Sequence, residues 1–264
     1  MNSKLTLSVI LPTLNEGENL KILIPDIQQK LNSVDGLKYE IIVADDGSTD
    51  ATEEFINKKV FKNNVKLLKR QDKPSLPMSI FDGIDYSDTT HVCWLDADGS
   101  MPAEVLKEMV ILQMENHEDV IIGSRFVDGG GYKGIKQLGK TSVISAITNV
   151  YKSNDSVLGM IFSTLFNILL KFILNSEIKD ITSGFIIGKK EYFVKEIFSI
   201  ADYGDYFIYL VHELKKQNVK IIEHGYICET RVHGTSKTST NVLQLLIRGI
   251  PYVKAAFKSR KGLV

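Results

Sequence analysis

Two aspartates, Asp96 and Asp98, are separated by one residue and follow the apolar run 91–95, which has the composition of a buried strand. A stretch that can start a helix, with Pro102 in its first turn, comes next. Carboxylate oxygens at the end of a buried strand are hard ligands that suit Mg²⁺ or Mn²⁺, above all when the ion also carries a phosphate. The spacing therefore predicts a site for a metal-bound nucleotide.

The first half of the chain alternates short β-rich runs with helical stretches, a pattern typical of βαβ units that feed a mostly parallel sheet. Two of the helix starts are predicted from N-cap boxes, Asn15 with Glu18 and Asp50 with Glu53. We therefore expect the α/β class. The predicted strands cover residues 5–11, 39–44, 65–68, 91–95 and 119–123.

Three polar loops follow predicted strands, at residues 12–16, 45–48 and 96–98. Ligands of open α/β sheets bind beyond the carboxyl ends of the strands, so these loops are expected along one crevice. Taken singly, Asp45 and Asp46 are also typical of turns and helix caps, and an aspartate pair such as that at 96–98 occurs by chance. Their shared edge favours a nucleotide site, in which the first two loops contact base and ribose.

Composition limits the other functions. The chain has 264 residues, of which 44% are hydrophobic and 24% charged, enough for a full globular core. Its 32 basic and 32 acidic residues balance, which argues against bulk attraction to nucleic acid. The chain opens on a predicted strand without the pattern of a signal peptide, and Cys93 and Cys228 lack metal-ligand spacing. We therefore expect a cytoplasmic protein.

Residues 157–174 form an apolar stretch that predicts contact with a membrane surface. Ser163, Asn167 and Lys171 recur at every fourth position, which gives one polar stripe on an otherwise apolar helix. A membrane-spanning helix is longer and poorer in polar groups, so the pattern favours an interfacial helix. An ordinary core helix is the alternative.

The end of the chain is basic, with no acidic residue after Glu229. Residues 242–257 mix apolar side chains with Arg248 and Lys254, and a basic cluster follows at 258–261. This composition is typical of an amphipathic helix on an anionic leaflet, with a kink near Pro251. A solvated basic terminus is the alternative.

The order of the motifs carries a resemblance to a known family. The blocks are VILPTLNE at 9–16, VADDGSTD at 43–50, DAD at 96–98, GSRF at 123–126, STLFNILLK at 163–171, DITSGF at 180–185 and RVHGTSK at 231–237. In this order they resemble family 2 glycosyltransferases of GT-A fold, and in particular the dolichol-phosphate mannose synthase branch. The resemblance runs from about residue 5 to residue 240.

This resemblance implies a Rossmann-like, mostly parallel sheet flanked by helices in residues 1–235, and a C-terminal amphipathic helical extension in 236–264. It implies inverting, metal-dependent transfer of a hexose from a nucleotide sugar, of the GDP-mannose or UDP-glucose type, to a polyprenyl or dolichyl phosphate. The enzyme would lie peripherally on the cytoplasmic face of a membrane, with an integral membrane protein as a further partner.

The resemblance also implies roles for single residues. Asp96 and Asp98 would hold Mg²⁺ or Mn²⁺ with the donor diphosphate, and Asp98, Arg125 and Asp205 would be catalytic. The residues that would contact the nucleotide are Pro12, Asn15, Glu16, Asp45, Asp46 and Asp96. The residues that would neutralise donor and acceptor phosphates are Arg125, Arg231, Ser236 and Lys237. At the position of Ser100 the branch has a side-chain amide that helps to hold the metal. This chain has a shorter hydroxyl there, so we expect looser metal coordination.

The acceptor separates the alternatives. A polyprenyl phosphate is an oxyanion near neutral pH, because a phosphate monoester has a second pKa of about 6, and it needs no base. A sugar hydroxyl needs one, and Asp205 is available for that role unless it is simply a helix N-cap. Asp180 is open between loop structure and acceptor contact. A catalytically silent membrane scaffold is the third alternative.

Overall fold

The computed structural model describes residues 5–57, 64–132, 135–136, 157–229 and 242–262. The strands are β1 (Leu5–Thr13), β2 (Leu37–Asp45), β3 (Val65–Lys69), β4 (His91–Trp94), β5 (Val120–Ser124), β6 (Gly131–Tyr132), β7 (Ile135–Lys136), β8 (Ile186–Lys189), β9 (Ile221–Gly225) and β10 (Ile227–Cys228). The helices are α1 (Gly17–Leu31), α2 (Thr52–Asn57), α3 (Leu76–Tyr86), α4 (Ala103–Glu115), α5 (Val157–Leu174), α6 (Lys195–Ser199), α7 (Tyr206–Lys216) and α8 (Val242–Arg260).

Seven strands form one sheet in the order β3-β2-β1-β4-β8-β5-β9. Only β8 runs against its neighbours in this sheet; it pairs antiparallel with β4 and β5. The five predicted strands are confirmed to within two residues at either end. The insertion of β8 was not predicted, because nothing local to a short apolar run specifies its direction. A smaller sheet has the order β10-β6-β7.

Alternation along the strands builds two apolar layers, one on each face of the large sheet. In β1, for example, Leu7 and Val9 pack into the layer that α1 and α4 cover. The neighbouring Ile10 points into the opposite layer, which α3, α5, α6, α7 and α8 cover. Helices on both faces of a mostly parallel sheet confirm the predicted class.

One of the predicted helix starts is wrong. Helix α1 begins at Gly17 with Glu16 before it, and Asn15 has left-handed backbone geometry (φ +59°). Asp50 does cap a helix, because its carboxylate accepts the amide of Thr52 at 3.0 Å. Its second oxygen accepts the amide of Gly17 at 3.0 Å, so one aspartate serves the first turns of both α2 and α1.

Helix α5 occupies the predicted range, but its polar stripe faces the protein. Asn167 is buried, donates to the Lys179 carbonyl at 2.5 Å and accepts the Ile181 amide at 3.1 Å. Ser163 bonds the hydroxyl of Tyr132 at 2.8 Å. The exposed face of α5 is apolar and consists of Leu165, Ile168, Leu169 and Phe172.

Helix α8 lies in the range predicted as an extension, and one side of it packs into the core beside the large sheet. Ala255 and Ala256 are fully buried, and Tyr252 meets Phe166 of α5 edge to face, with ring centroids 5.8 Å apart. Arg260 donates to the Ile173 carbonyl at 3.0 Å, near the end of α5. Within the part of the chain that the structure describes, none of the helices combines the length and apolar character needed to cross a bilayer.

Candidate active site

The loops singled out in the sequence lie along one edge of the sheet. Strands β1 and β2 are parallel and end together, since Thr13 pairs with Asp45. Strand β4 is parallel to β1, with Ile10 opposite Trp94, so the residues after Trp94 emerge at the same edge. Pro12, in the last part of β1, and Asp96, just after β4, are both half-buried and lie at the ends of neighbouring strands.

The first two loops are tied to each other by Asn15. The side-chain oxygen of Asn15 accepts a hydrogen bond from the backbone N–H of Thr49 at 2.7 Å. The backbone N–H of Asn15 donates to the Ser48 hydroxyl at 2.8 Å. Ser48 in turn donates to the buried Asp45 carboxylate through its hydroxyl at 2.5 Å and its amide at 3.1 Å. Glu16 accepts from the Asn19 amide group at 2.6 Å. These contacts fix the loop backbones, and direct nucleotide contacts by these side chains stay predictions.

Asp46 is held by a cation that the sequence reasoning missed. Arg70, just after β3, is nearly fully buried and forms ion pairs with Asp46 and with Asp82, the latter at 2.6 Å. Burial lowers the pKa of Arg70, but the two carboxylates raise it overall, so the guanidinium stays charged. Asp46 also accepts the Ser75 amide at 2.6 Å. The sequence did contain a signal for this pairing, because Arg70 closely follows a predicted strand and so lies at the same edge of the sheet as the acidic loops.

Asp98 is only 4% exposed and accepts the Ser100 amide at 2.9 Å, across Gly99 in left-handed geometry (φ +79°). The Ser100 carbonyl accepts the Glu229 amide at 2.9 Å. The carboxylates of Asp96 and Asp98 are the hard oxygen ligands that Mg²⁺ and Mn²⁺ prefer. Among the described residues, no group of three or more His, Cys, Asp or Glu side chains could hold a metal ion.

Behind Asp96, an aromatic cluster fixes the end of β4. The Trp94 indole donates to the Tyr206 hydroxyl at 3.0 Å, and Phe193 meets the indole edge to face at 4.9 Å. Burial raises the pKa of Tyr206, and the charge of Asp96 adds to this effect. The phenol therefore stays protonated as a neutral neighbour of the Asp96 carboxylate.

Arg125 is bound to Asp180, which is fully buried. Its Nε and Nη2 atoms donate to the two carboxylate oxygens at 2.8 and 2.7 Å, and Nη2 also reaches the Thr182 hydroxyl at 2.9 Å. Burial lowers the pKa of Arg125, but Asp180 raises it well above its ordinary value. Asp180 is thus part of the loop structure. Since Arg125 already serves one carboxylate, its predicted contact with a phosphate stays a prediction.

Asp205 occupies the N-cap position of α7, yet its carboxylate does not cap that helix. It is 2% exposed and accepts the amides of Tyr203 at 2.7 Å and Asp202 at 3.1 Å. These bonds close the turn 202–205. The role of Asp205 as a base stays a prediction.

The predicted phosphate ligands Arg231, Ser236 and Lys237 lie outside the described residues. The described chain ends before them at Glu229, whose amide bonds the Ser100 carbonyl.

A mostly parallel sheet with carboxylates at the strand ends, covered by helices on both faces, defines a GT-A type glycosyltransferase fold. Residues 8–196 match the family described as Glycosyl transferase family 2. The chain belongs to this family. This membership counts against the silent scaffold.

Curated relatives point to the predicted branch. A dolichol-phosphate mannosyltransferase of Pyrococcus furiosus is 38% identical over 123 residues, 47% of this chain and 34% of the relative. TarP of Staphylococcus aureus, a poly(ribitol-phosphate) beta-N-acetylglucosaminyltransferase, is 30% identical over 80% of this chain and 64% of its own. The polyprenol monophosphomannose synthase of Mycolicibacterium smegmatis is 26% identical over 91% of this chain and 84% of its own. This chain therefore covers less than two thirds of the first two relatives.

Solved structures agree on the fold. Glucosyl-3-phosphoglycerate synthase from Mycobacterium tuberculosis, solved with Mn²⁺ and uridine diphosphate, has a TM-score of 0.61 and 16% identity over 97% of this chain and 80% of its own. S. aureus TarS has a TM-score of 0.52 and 18% identity over 84% of this chain and 36% of its own. At such identities the likeness shows the GT-A fold alone.

Proposed function

We propose that this glycosyltransferase moves a hexose from a nucleotide sugar to a polyprenyl phosphate at a membrane surface. A phosphate oxygen of the lipid attacks the anomeric carbon, and the bond from that carbon to the nucleoside diphosphate breaks. Attack from the opposite side inverts the configuration. The names of the relatives from Pyrococcus furiosus and Mycolicibacterium smegmatis support a lipid phosphate acceptor and a mannose donor.

The observation that carries the proposal is the inverted face of α5. Its polar residues turn inward, and an apolar stripe faces outward, with Phe172 81% exposed. A contiguous exposed apolar patch on a protein indicates a partner that is itself apolar. A bilayer supplies both that partner and the lipid acceptor.

Helix α8 adds charge to the same surface. It packs against α5 through Tyr252 and Phe166, and it exposes Ile250 and Phe257 beside the exposed Lys254. Apolar and basic side chains on one exposed face fit a leaflet of anionic lipids. We propose peripheral binding in this orientation, on the cytoplasmic face; an integral membrane partner stays a prediction.

On the donor side, we propose that Asp96 and Asp98 hold Mg²⁺ or Mn²⁺ with the donor diphosphate. The bound metal would offset the charge that develops on the departing diphosphate. The hydrogen bond from Ser100 and the buried position of Asp98 orient its carboxylate before the donor arrives. The loops carrying Pro12, Asn15, Glu16, Asp45 and Asp46 would bind the nucleoside.

On the acceptor side, two phosphorylated substrates repel each other unless cations lie between them. We propose that Arg231, Ser236 and Lys237 supply this neutralisation, supported by the bond that holds Glu229 to Ser100. A contact of Arg125 with a substrate phosphate is part of the same proposal, with Asp180 fixing the position of the guanidinium.

A hydroxyl acceptor is the second candidate, and the likeness to TarP favours it. In that case Asp205 would act as base. Its carboxylate is buried and already accepts two backbone amides, which is the geometry of a residue that closes a turn. This geometry favours the lipid phosphate, which needs no base.

The test incubates purified protein with Mg²⁺ or Mn²⁺, a short polyprenyl phosphate and a panel of labelled nucleotide sugars. Label that enters organic solvent reports transfer and identifies the donor. We expect transfer with wild-type protein and at least a hundredfold loss, about 3 kcal/mol, in Asp98→Ala. Asp35→Ala, an exposed aspartate in the turn after α1, is the matched control and should keep full activity.

Metal-dependent donor hydrolysis without any lipid-linked label would contradict the lipid acceptor. In that case Asp205→Asn decides the second candidate, because the asparagine oxygen can still accept the turn amides while the base is lost. Turnover onto a hydroxyl acceptor that disappears in Asp205→Asn would establish Asp205 as the base.

A further inference from the structure

Helix α8 reaches the turn 202–205 through one side chain. A Cβ atom added to Gly204 would lie 2.0 Å from the Tyr252 hydroxyl oxygen and 3.0 Å from its Cζ atom. Gly204 is not among the glycines with left-handed backbone geometry. The backbone at Gly204 therefore accepts any residue, and what excludes a side chain is the space that the Tyr252 hydroxyl occupies.

The turn that Tyr252 contacts belongs to the candidate site. Asp205 closes it by accepting the amides of Asp202 and Tyr203. Burial raises the pKa of Tyr252, and the charges of Asp205 and Asp96 add to this effect. The hydroxyl thus lies within electrostatic reach of both the turn and the end of β4.

Tyr252 is itself held in place from the other side. Its ring meets Phe166 of α5 at an interplanar angle of 76°. Phe166 also lies 3.2 Å from where a Cβ on Gly249 would be, so α5 and α8 approach closely there. Tyr252 therefore belongs to α8 and is packed against α5, and these are the two helices whose outer faces we assign to the membrane.

We propose that Tyr252 is a positioning residue whose hydroxyl holds the turn 202–205 in its active arrangement, so that sugar transfer depends on the docking of α8. This inference rests on the proposed function. It assigns the C-terminal helix a part in the reaction as well as in membrane contact. Because misplacement by about 1 Å costs up to a hundredfold in rate, a small shift of the turn is enough for a measurable effect.

The test is a double-mutant cycle of Gly204→Ala and Tyr252→Phe. We expect Gly204→Ala to lower kcat for lipid transfer about tenfold, because the new methyl group displaces the hydroxyl or the turn. We expect Tyr252→Phe to lower kcat about threefold, because the turn loses its contact. The double variant should be more active than Gly204→Ala alone, since only the Cζ atom at 3.0 Å then remains in the way.

Two readouts separate positioning from stability. Donor KM, donor hydrolysis without acceptor and the melting temperature should stay within error of wild type in Tyr252→Phe. The control Tyr86→Phe removes a hydroxyl from an exposed tyrosine on α3 and should change nothing. Wild-type kcat in both single variants, or losses that add in the double variant, would overturn the role of Tyr252. So would a loss of kcat that only follows melting temperature. Absence of lipid-linked product from wild-type protein would overturn the proposed function and this inference together.

Discussion

Two regions, the loops after β1, β2 and β4 and the helices α5, α7 and α8, are held together differently; we call them the loop half and the helical half. In the loops, short polar side chains bond backbone amides, as Asn15 bonds Thr49 of the next loop and Asp45 bonds Ser48 within its own loop. In the helices, large apolar surfaces pack, and Asn167 of α5 is a polar residue buried among them. The first half is suited to a polar nucleotide, and the second to a lipid.

The difference teaches that the two halves respond to different changes. A polar loop network loses one bond at a time, and its loops still follow strands that the sheet aligns. The helical half relies on buried groups whose partners are on other elements, such as Asn167 in α5, and the loop after α5 carries Asp180, which pairs with Arg125. The predicted costs of single substitutions are therefore larger in the second half.

The largest effect is expected from Asp180→Asn. It leaves the Arg125 guanidinium in a buried site without its carboxylate, which typically costs about 3–5 kcal/mol. The free energy of unfolding from urea titrations measures this. The matched control is Asp119→Asn, whose partner Lys220 is mostly exposed, and its cost should stay below about 1 kcal/mol. Equal costs for the two variants would refute the special position of the buried pair.

A smaller effect tests the inverted face of α5. Asn167→Ala leaves the Lys179 carbonyl and the Ile181 amide without their partner and should cost about 2 kcal/mol. Leu165→Ala on the same helix removes an exposed side chain and should change stability by less than about 0.5 kcal/mol. A larger loss of stability in Leu165→Ala than in Asn167→Ala would show that the opposite face of α5 is buried in solution.

The third prediction concerns lipid binding. Phe172→Ser removes an apolar ring of α5 that is 81% exposed and should weaken binding to anionic phosphatidylglycerol vesicles about tenfold, about 1.4 kcal/mol. Cosedimentation measures the bound fraction, and the melting temperature should not change. Ile22→Ser, on the exposed side of α1, is the control. Equal vesicle binding by wild type and Phe172→Ser would show that α5 does not contact the membrane.

The smallest effect belongs to the loop half. Asp50→Ala removes the cap shared by α1 and α2 and should cost about 1 kcal/mol at neutral pH. Burial raises the pKa of Asp50, but hydrogen bonds from Thr52 and Gly17 lower it overall. A lowered folded-state pKa means that the stabilisation is complete above the unfolded pKa, about 3.9, and is lost as pH falls through the folded value. The free energies of unfolding of wild type and Asp50→Ala should therefore converge as the pH falls. A difference that stays constant with pH would contradict this prediction.

Much of the loop half follows from local sequence. The position of Asp96 and Asp98 after a buried strand, and their alignment with the ends of β1 and β2, required only the rule that parallel strands end at one edge. The N-cap box at Asn15 was wrong because its side chain bonds Thr49, in another loop, which no local pattern shows. For the same reason the sequence reasoning missed the pairing of Arg70 with Asp46.

The sequence by itself determined the family, the α/β class, the positions of β1 to β5 and the apolar character of α5, because these depend on residue order and periodicity. Tertiary structure decided which face of α5 is buried, that Asp180 binds Arg125, and that Tyr252 fills the space above Gly204. Hydrophobic periodicity defines a stripe but not the neighbour it meets. Only packing between elements distant in the chain assigns that neighbour, and the chemistry of the acceptor side depends on it.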